Sequence, residues 1–335
     1  MSSGWKRSVS WGLVVATCLV LGLGVEVGAA AKQVLKLGTI LPVDNILTEN
    51  AQEFAKKVNE RSKGEVEVIV YPNSQLGNER DLMEGLQLGT VQMAEVSGGV
   101  MSTFAPEAGV FSLPFVFNGW DHLDKVLKAP VADRLGDMVL KKTGIRVLGW
   151  MEQGFRVTLT VRRVINGVQD FEGLKIREPE DKVLVRTFQL VKARPTVIAW
   201  GEVYTSLQTG VVDCFDNSKS SYLSLKFYEV AKHYSLTEHF IIPNLFIMGL
   251  KFYNSLPKDI QNAIVRTGQD YPIELVKMLD GYNSRAFDVL KSNGVTVLTV
   301  EKKPFMDAVA PIYDQYLSTA PADARDLFDV IKRVK

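Results

Sequence analysis

Two cysteines in 335 residues, Cys18 and Cys214, leave this chain almost nothing to crosslink with. Cys18 falls in an N-terminal apolar run, and Cys214 then has no partner for an internal disulfide. Histidine is scarce as well, with His122, His233 and His239 the only three. His233 and His239 stand six apart with Glu238 between them, which does not place two metal ligands on one helix face. Core or solvated positions are expected for them. Catalytic signatures are missing too: the sequence has no H-E-x-x-H, no G-x-S-x-G and no phosphate-binding loop. The single G-x-G, Gly22 to Gly24, lies in the same apolar run. No excess of one charge exists, with 39 Lys and Arg against 38 Asp and Glu. A balanced chain offers no surface for a polyanion, so nucleic acid is not an expected partner. No metal, cofactor or catalytic residue is expected. A hydrolase whose paired acids come from distant segments would leave no local pattern, and that alternative stays open.

The N-terminus does carry a pattern. Lys6 and Arg7 precede an apolar run from Trp11 to Val25, which gives way to "VGAAAK". A basic start, an apolar middle and small residues at the end are the layout of a secretory signal peptide. The run contains glycines and reaches Glu26 too soon for a membrane-spanning helix of about 20 apolar residues. Residues 1–31 are therefore expected to be removed near Ala31. Lys6, Arg7 and Glu26 go with them, leaving basic and acidic residues in balance. The exported remainder has no disulfide and must rely on its core. Its roughly 300 residues suffice for two domains of about 100–200 residues each.

Strand-like and helix-like segments alternate along that remainder. "QVLKLGTI" reads as a buried strand. Ala51, Phe54, Ala55 and Val58 recur at helical spacing until Gly64. Val66, Val68 and Val70 alternate as a strand would, a short helix around Leu82 and Leu86 stops at Gly89, and "VQMAEV" follows as a strand. This succession predicts an open α/β sheet, mostly parallel. A second series follows in "IRVLGWM", "RVTLTV", "LKIR", a helix through Leu184, Phe188 and Val191, and "TVIAW". From Pro257 helical character persists to about Lys291, long enough to connect separate parts of a structure.

The stretch "FEGLKIREP" places Arg177 near the end of a strand, with Pro179 expected to open the next helix. Ligands of open α/β sheets collect at the carboxyl ends of strands, and helix N-termini there present free N–H groups. A guanidinium at that position matches a carboxylate bidentately. In "QGFRVTLTV", Val157, Leu159 and Val161 share one face, which puts Arg156 on the other with Thr158 and Thr160.

Four blocks, "YPNSQLGNERDLMEGLQLGTVQM", "GVFSLPFVF", "FEGLKIREPE" and "AWGEVYTSLQTGVVDCFDN", occur in an order and spacing that resembles the DctP-type periplasmic solute-binding proteins. These are the extracytoplasmic receptors of TRAP transporters, the tripartite ATP-independent periplasmic carriers. The resemblance implies an α/β fold of two domains, a Venus flytrap with open mixed sheets and one long domain-spanning helix. Lobe I is expected at 32–153 plus 243–282 and lobe II at 154–242 plus 283–335. The resemblance also implies a monomer in the periplasm, not an enzyme, that delivers its solute to small and large integral membrane subunits. It gives Arg177 the ligand carboxylate and makes Arg156 a second contact. Asn217 corresponds to the asparagine of the family's "VDGQENP" block, Trp200 to an aromatic packed on the bound molecule, and Ser97 to a polar pocket residue.

The chain departs from that pattern in "CFDNS", which sets Asp216 beside Asn217 as a further candidate contact, and in Glu180 three residues after Arg177. An acid at the rim would repel an anion unless a cation offsets it; alternatively Glu180 faces solvent and complements a helix N-terminus. Trp200, Trp150, Phe155 and Ile40 favour a monocarboxylate with an apolar or aromatic body. Arg177, Arg156 and Asn217 also suit a sugar acid or a dicarboxylate. A sensor subunit that presents bound solute to a signalling receptor is the other alternative.

Overall fold

The computed structural model describes residues 32–334 apart from 129, 152 and 153, with the side chains of 219, 220, 224, 271–285 and 287 also outside the description. The expected signal peptide lies outside the described residues. The first half begins with β1 (Gln33–Gly38), α1 (Ile46–Arg61), β2 (Val66–Tyr71), α2 (Glu79–Leu88) and β3 (Met93–Ser97). Local chemistry explains these boundaries. Asn45 caps α1 by accepting from the Leu47 N–H at 2.9 Å, and Ala51, Phe54, Ala55 and Val58 are all buried as their spacing predicts. Asn78 and Asp81 form a reciprocal capping box at the start of α2, which ends where Gly89 takes the left-handed conformation at φ +83°. Then come α3 (Gly98–Phe104), α4 (Trp120–Lys128), α5 (Pro130–Thr143) and β4 (Ile145–Met151).

The second half contains β5 (Arg156–Thr160), β6 (Lys175–Glu178), α6 (Lys182–Leu190), β7 (Arg194–Val197), β8 (Cys214–Ser218), β9 (His233–Phe240), β10 (Asn244–Gly249) and β11 (Thr296–Thr299). Two mixed sheets result, ordered β2-β1-β3-β10-β4 and β11-β9-β5-β8-β6-β7. The expectation of mostly parallel sheets needs correcting. β10 runs antiparallel to both β3 and β4, and β5 runs antiparallel to both β8 and β9. The reason is connectivity. The chain passes from the first sheet to the second after β4, and returns between β9 and β10, so β5 and β10 enter from the opposite direction. These two crossings align the functional ends: Asn244 pairs with Ser97, and Arg156 with Ser218.

A third connection is the helix Lys258–Ser292, one continuous element that begins after Pro257. Its Ile260 and Ile264 share a core with Phe54 and Phe246 of the first sheet's side and Tyr222 and Tyr234 of the second's. It also packs on β4 backbone to backbone. A Cβ on Gly268 would stand 2.5 Å from the Leu148 carbonyl oxygen, so only glycine permits this approach. The C-terminal segment reaches the sides of both sheets. β11 joins the second sheet, whereas helix Ala322–Arg333 sends Leu327, Phe328 and Ile331 into the core that holds Leu123 and Leu135. Cys214 is fully buried in a core cluster with Ile176 and Phe188.

Candidate functional site

Both sheets present the same kind of edge to one cleft: the carboxyl ends of β3, β6 and β8 and the amino ends of β5 and β10. The cleft is lined by Ser97, Gly99, Gly154, Arg156, Pro179, Asn217, Ser218, Ile242 and Asn244. Three of the expected residues, Ser97, Arg156 and Asn217, therefore meet in one cleft. Ser97 caps α3, its hydroxyl accepting from Val100 N–H at 3.3 Å. Asn217 turns its Oδ1 back to accept from Ser218 N–H at 2.8 Å, and its amide Nδ2 donates to no group among the described residues.

Arg156 is held by Asp216 in a fork: Nε donates to Oδ2 at 2.6 Å and one terminal nitrogen donates to Oδ1 at 2.9 Å and to the Asp216 carbonyl at 2.8 Å. Asp216 is fully buried, and His239 Nε2 lies 3.1 Å from the same Oδ2. Burial alone would raise the Asp216 pKa, but Arg156 and the His239 contact override it and hold the carboxyl well below its usual range. Burial also keeps His239 below its ordinary value, against the pull of Asp216. Asp216, expected as a ligand contact, is paired in the interior with Arg156 and His239. It lies beneath Arg156, orienting it, and its charge is spent there. His239 occupies a buried position as expected, with a partner the spacing did not reveal.

Arg177 differs. It is 3% exposed, and Nε donates to the Ile198 carbonyl at 2.8 Å, but its two terminal nitrogens make no hydrogen bond among the described residues. Burial pushes its pKa down to about 10, with Glu178 opposing and Arg156 adding to the shift. It stays charged at neutral pH without a salt-bridge partner among the described residues. Glu178 next to it is fully buried, and neither carboxyl oxygen is hydrogen-bonded. Burial first and Asp216 second hold its pKa well above the usual value, against Arg156 and Arg177. Arg156 is matched by Asp216, whereas Arg177 has no such partner among the described residues. The sequence reading missed Glu178.

Trp200 is 4% exposed, packed on Phe227 and Phe215, with the Arg177 guanidinium 5.5 Å from its ring centre. It is a platform for the arginine and is not among the residues that line the cleft. Trp150 packs on Phe111 and Phe155 on Trp120, and Ile40, partly buried, packs against the core. Nor does Pro179 open a helix: Asp181 caps α6, its Oδ1 accepting from Val183 N–H at 2.7 Å and Leu184 N–H at 3.3 Å. Glu180 is neither cap nor cation site. Arg80 of α2 reaches across to it, Nε to Oε2 at 2.9 Å plus a second contact between a terminal nitrogen and Oε1. Among the described residues no group of His, Cys, Asp and Glu is arranged to hold a metal ion.

The first lobe contributes Glu79, Glu95, Thr39 and Asn244, none of which the sequence reading singled out. Glu79 accepts from the Ser97 N–H at 2.5 Å and feels the charges of Arg177 and Arg156. Glu95, 2% exposed, accepts from Thr39 Oγ1 at 3.0 Å and from Asn244 Nδ2 at 3.1 Å. Burial pushes the Glu95 carboxyl up to about 7, against those two hydrogen bonds. An acid whose folded pKa is raised loses folding stability as pH climbs from its unfolded to its folded value. Glu95→Gln is therefore expected to stabilise the protein by about 1–3 kcal/mol at pH 8, the gap closing below pH ~4.5. Thermal melts at the two pH values check it; an equal gap at both would contradict it.

The lobes also touch at Gly99 and Asp181. A Cβ on Gly99 would meet Asp181 Oδ2 at 2.8 Å and its Cβ at 3.3 Å. Gly99→Ala is expected to wedge the lobes apart and weaken ligand binding about tenfold, read by titration calorimetry. Unchanged affinity would show that this contact does not belong to the ligand-bound state.

Comparison with known proteins now decides the family. The model of the bacterial extracellular solute-binding proteins, family 7 (DctP), matches residues 37–319. This chain belongs to that family. Among DctP-family relatives, the sialic acid-binding periplasmic protein SiaP of Vibrio cholerae is 31% identical over 304 residues, covering 90% of this chain and 93% of that one. The C4-dicarboxylate-binding periplasmic protein DctP of Rhodobacter capsulatus is 32% identical over 323 residues, covering 92% and 93%. A TRAP periplasmic solute-binding protein from a Sulfitobacter species, solved with β-D-galacturonate bound, superposes with a TM-score of 0.86 at 29% identity, covering 90% of this chain and 99% of that one. The two mixed sheets described above are thus those of a TRAP-type DctP-family receptor.

Proposed function

We propose that the protein is the extracytoplasmic receptor of a TRAP transporter for a polyhydroxylated carboxylic acid, a sugar acid in preference to an acid with an aromatic body. One observation carries the reading: Arg177 is a buried, charged guanidinium whose two terminal nitrogens are unpaired among the described residues, two residues before Pro179 of a cleft lined largely by polar groups. A carboxylate supplies its missing partner bidentately. Arg156 and the Asn217 Nδ2 stand close by for the same anion or an adjacent hydroxyl, with Ser97 in the facing wall. Among the described residues no aromatic ring lines the cleft to receive an apolar body. The mechanism follows from the burial. An open form hydrates Arg177, and closure strips that water, which is unfavourable until an anion takes its place. Differential affinity for the closed form is all that a ligand can use to shift the equilibrium. Closure brings Gly99 to Asp181 and Arg80 to Glu180, and the closed receptor docks on the small and large membrane subunits.

The same reading puts the mature protein in the periplasm as a monomer, after loss of residues 1–31, with lobe I around the first sheet and lobe II around the second. SiaP and the galacturonate-bound neighbour, whose named ligands are both sugar acids, support the ligand class. A thermal-shift screen on refolded, ligand-free protein tests it. Saturation at a hundred times Kd is worth about 2.7 kcal/mol, so a uronate should raise the Tm by several degrees where phenyl-substituted and alkyl acids do little. A larger shift with an aromatic acid would overturn the ligand class.

A further inference from the structure

We propose that Asn244 is the residue of the first lobe that reads a ligand hydroxyl, an inference that rests on the sugar-acid reading above. Asn244 opens β10 opposite Ser97 and lines the cleft. Its orientation is fixed from behind. Nδ2 donates to Glu95 Oε1 at 3.1 Å, while Thr39 Oγ1 engages the other carboxyl oxygen at 3.0 Å. Glu95 is buried, and with its carboxylate taking the amide's N–H, the Asn244 Oδ1 is the end left toward the cleft; it accepts no hydrogen bond among the described residues. The wall is thereby polarised. Lobe II offers donors, the guanidinium groups of Arg156 and Arg177 and the Asn217 Nδ2, which suit a carboxylate. Lobe I offers an acceptor, which suits an O–H and repels a second carboxylate. A monoanionic polyhydroxy acid satisfies both faces, its acid end toward Arg177 and a hydroxyl toward Asn244. A dicarboxylate would set negative charge against an oxygen lone pair.

Calorimetric titration of the refolded protein and of Asn244→Ala with D-galacturonate, hexanoate and succinate tests this. Galacturonate and hexanoate share one carboxylate and six carbons but differ in hydroxyls. Galacturonate should bind at least a hundredfold tighter than hexanoate or succinate to the unaltered protein. Asn244→Ala should cut the galacturonate preference over hexanoate by about tenfold. General damage to the cleft would weaken both acids alike and leave their ratio unchanged. If the ratio is unchanged while Arg177→Ala still abolishes galacturonate binding, the role of Asn244 is overturned and the receptor reading stands. If galacturonate does not bind, or if succinate binds more tightly, both fall.

Discussion

Arg177→Ala should weaken sugar-acid binding by about two to three orders of magnitude, the loss expected when one partner of a buried charge pair is removed. The same substitution should leave the Tm of the empty protein unchanged or raise it, because it removes a buried charge that has no anion of its own. That opposite movement of affinity and stability separates a binding arginine from a structural one. Arg177→Lys keeps the charge but loses the planar fork, and should recover only part of the affinity. Calorimetry and thermal melts on the same samples read both effects; an affinity within twofold of the unaltered protein would refute the assigned role.

The second large effect is at Asp216. Asp216→Asn should destabilise the protein by about 3 kcal/mol, because Arg156 would be left buried with no counter-ion. The Asp216 pKa is depressed in the folded state, so its stabilising contribution is present above the unfolded value of 3.8 and fades as pH falls through the folded one. The difference between Asp216→Asn and the unaltered protein should therefore shrink in acid. Arg156→Met combined with Asp216→Asn should cost less than the sum of the two single changes, since the pair acts as a unit. Denaturant melts of the four proteins check this, and strict additivity would contradict it.

Much of this architecture is legible in the sequence because the information is local. Ala51, Phe54, Ala55 and Val58 announce α1 by spacing, Gly89 stops α2 by its left-handed backbone, and the strand around Arg177 shows in five or six residues. Strand direction is not local. Nothing within "NLFIMG" says that it inserts antiparallel between β3 and β4, so neither Asn244 nor the Glu95 behind it could be assigned to the cleft. Depth is not local either. Asp216 is next in sequence to the wall residue Asn217, yet it points into the interior to Arg156 and His239, and Trp200 packs on Phe215 and Phe227. The same holds for Glu180, whose partner Arg80 is a hundred residues away and belongs to the other lobe.

A crystal structure of the protein with D-galacturonate tests the central claim most directly. The account predicts a closed cleft in which both terminal nitrogens of Arg177 lie about 2.7–2.9 Å from the two oxygens of the ligand carboxylate, with a sugar hydroxyl at Asn244. A carboxylate bound elsewhere, with those nitrogens still unpaired, would contradict it.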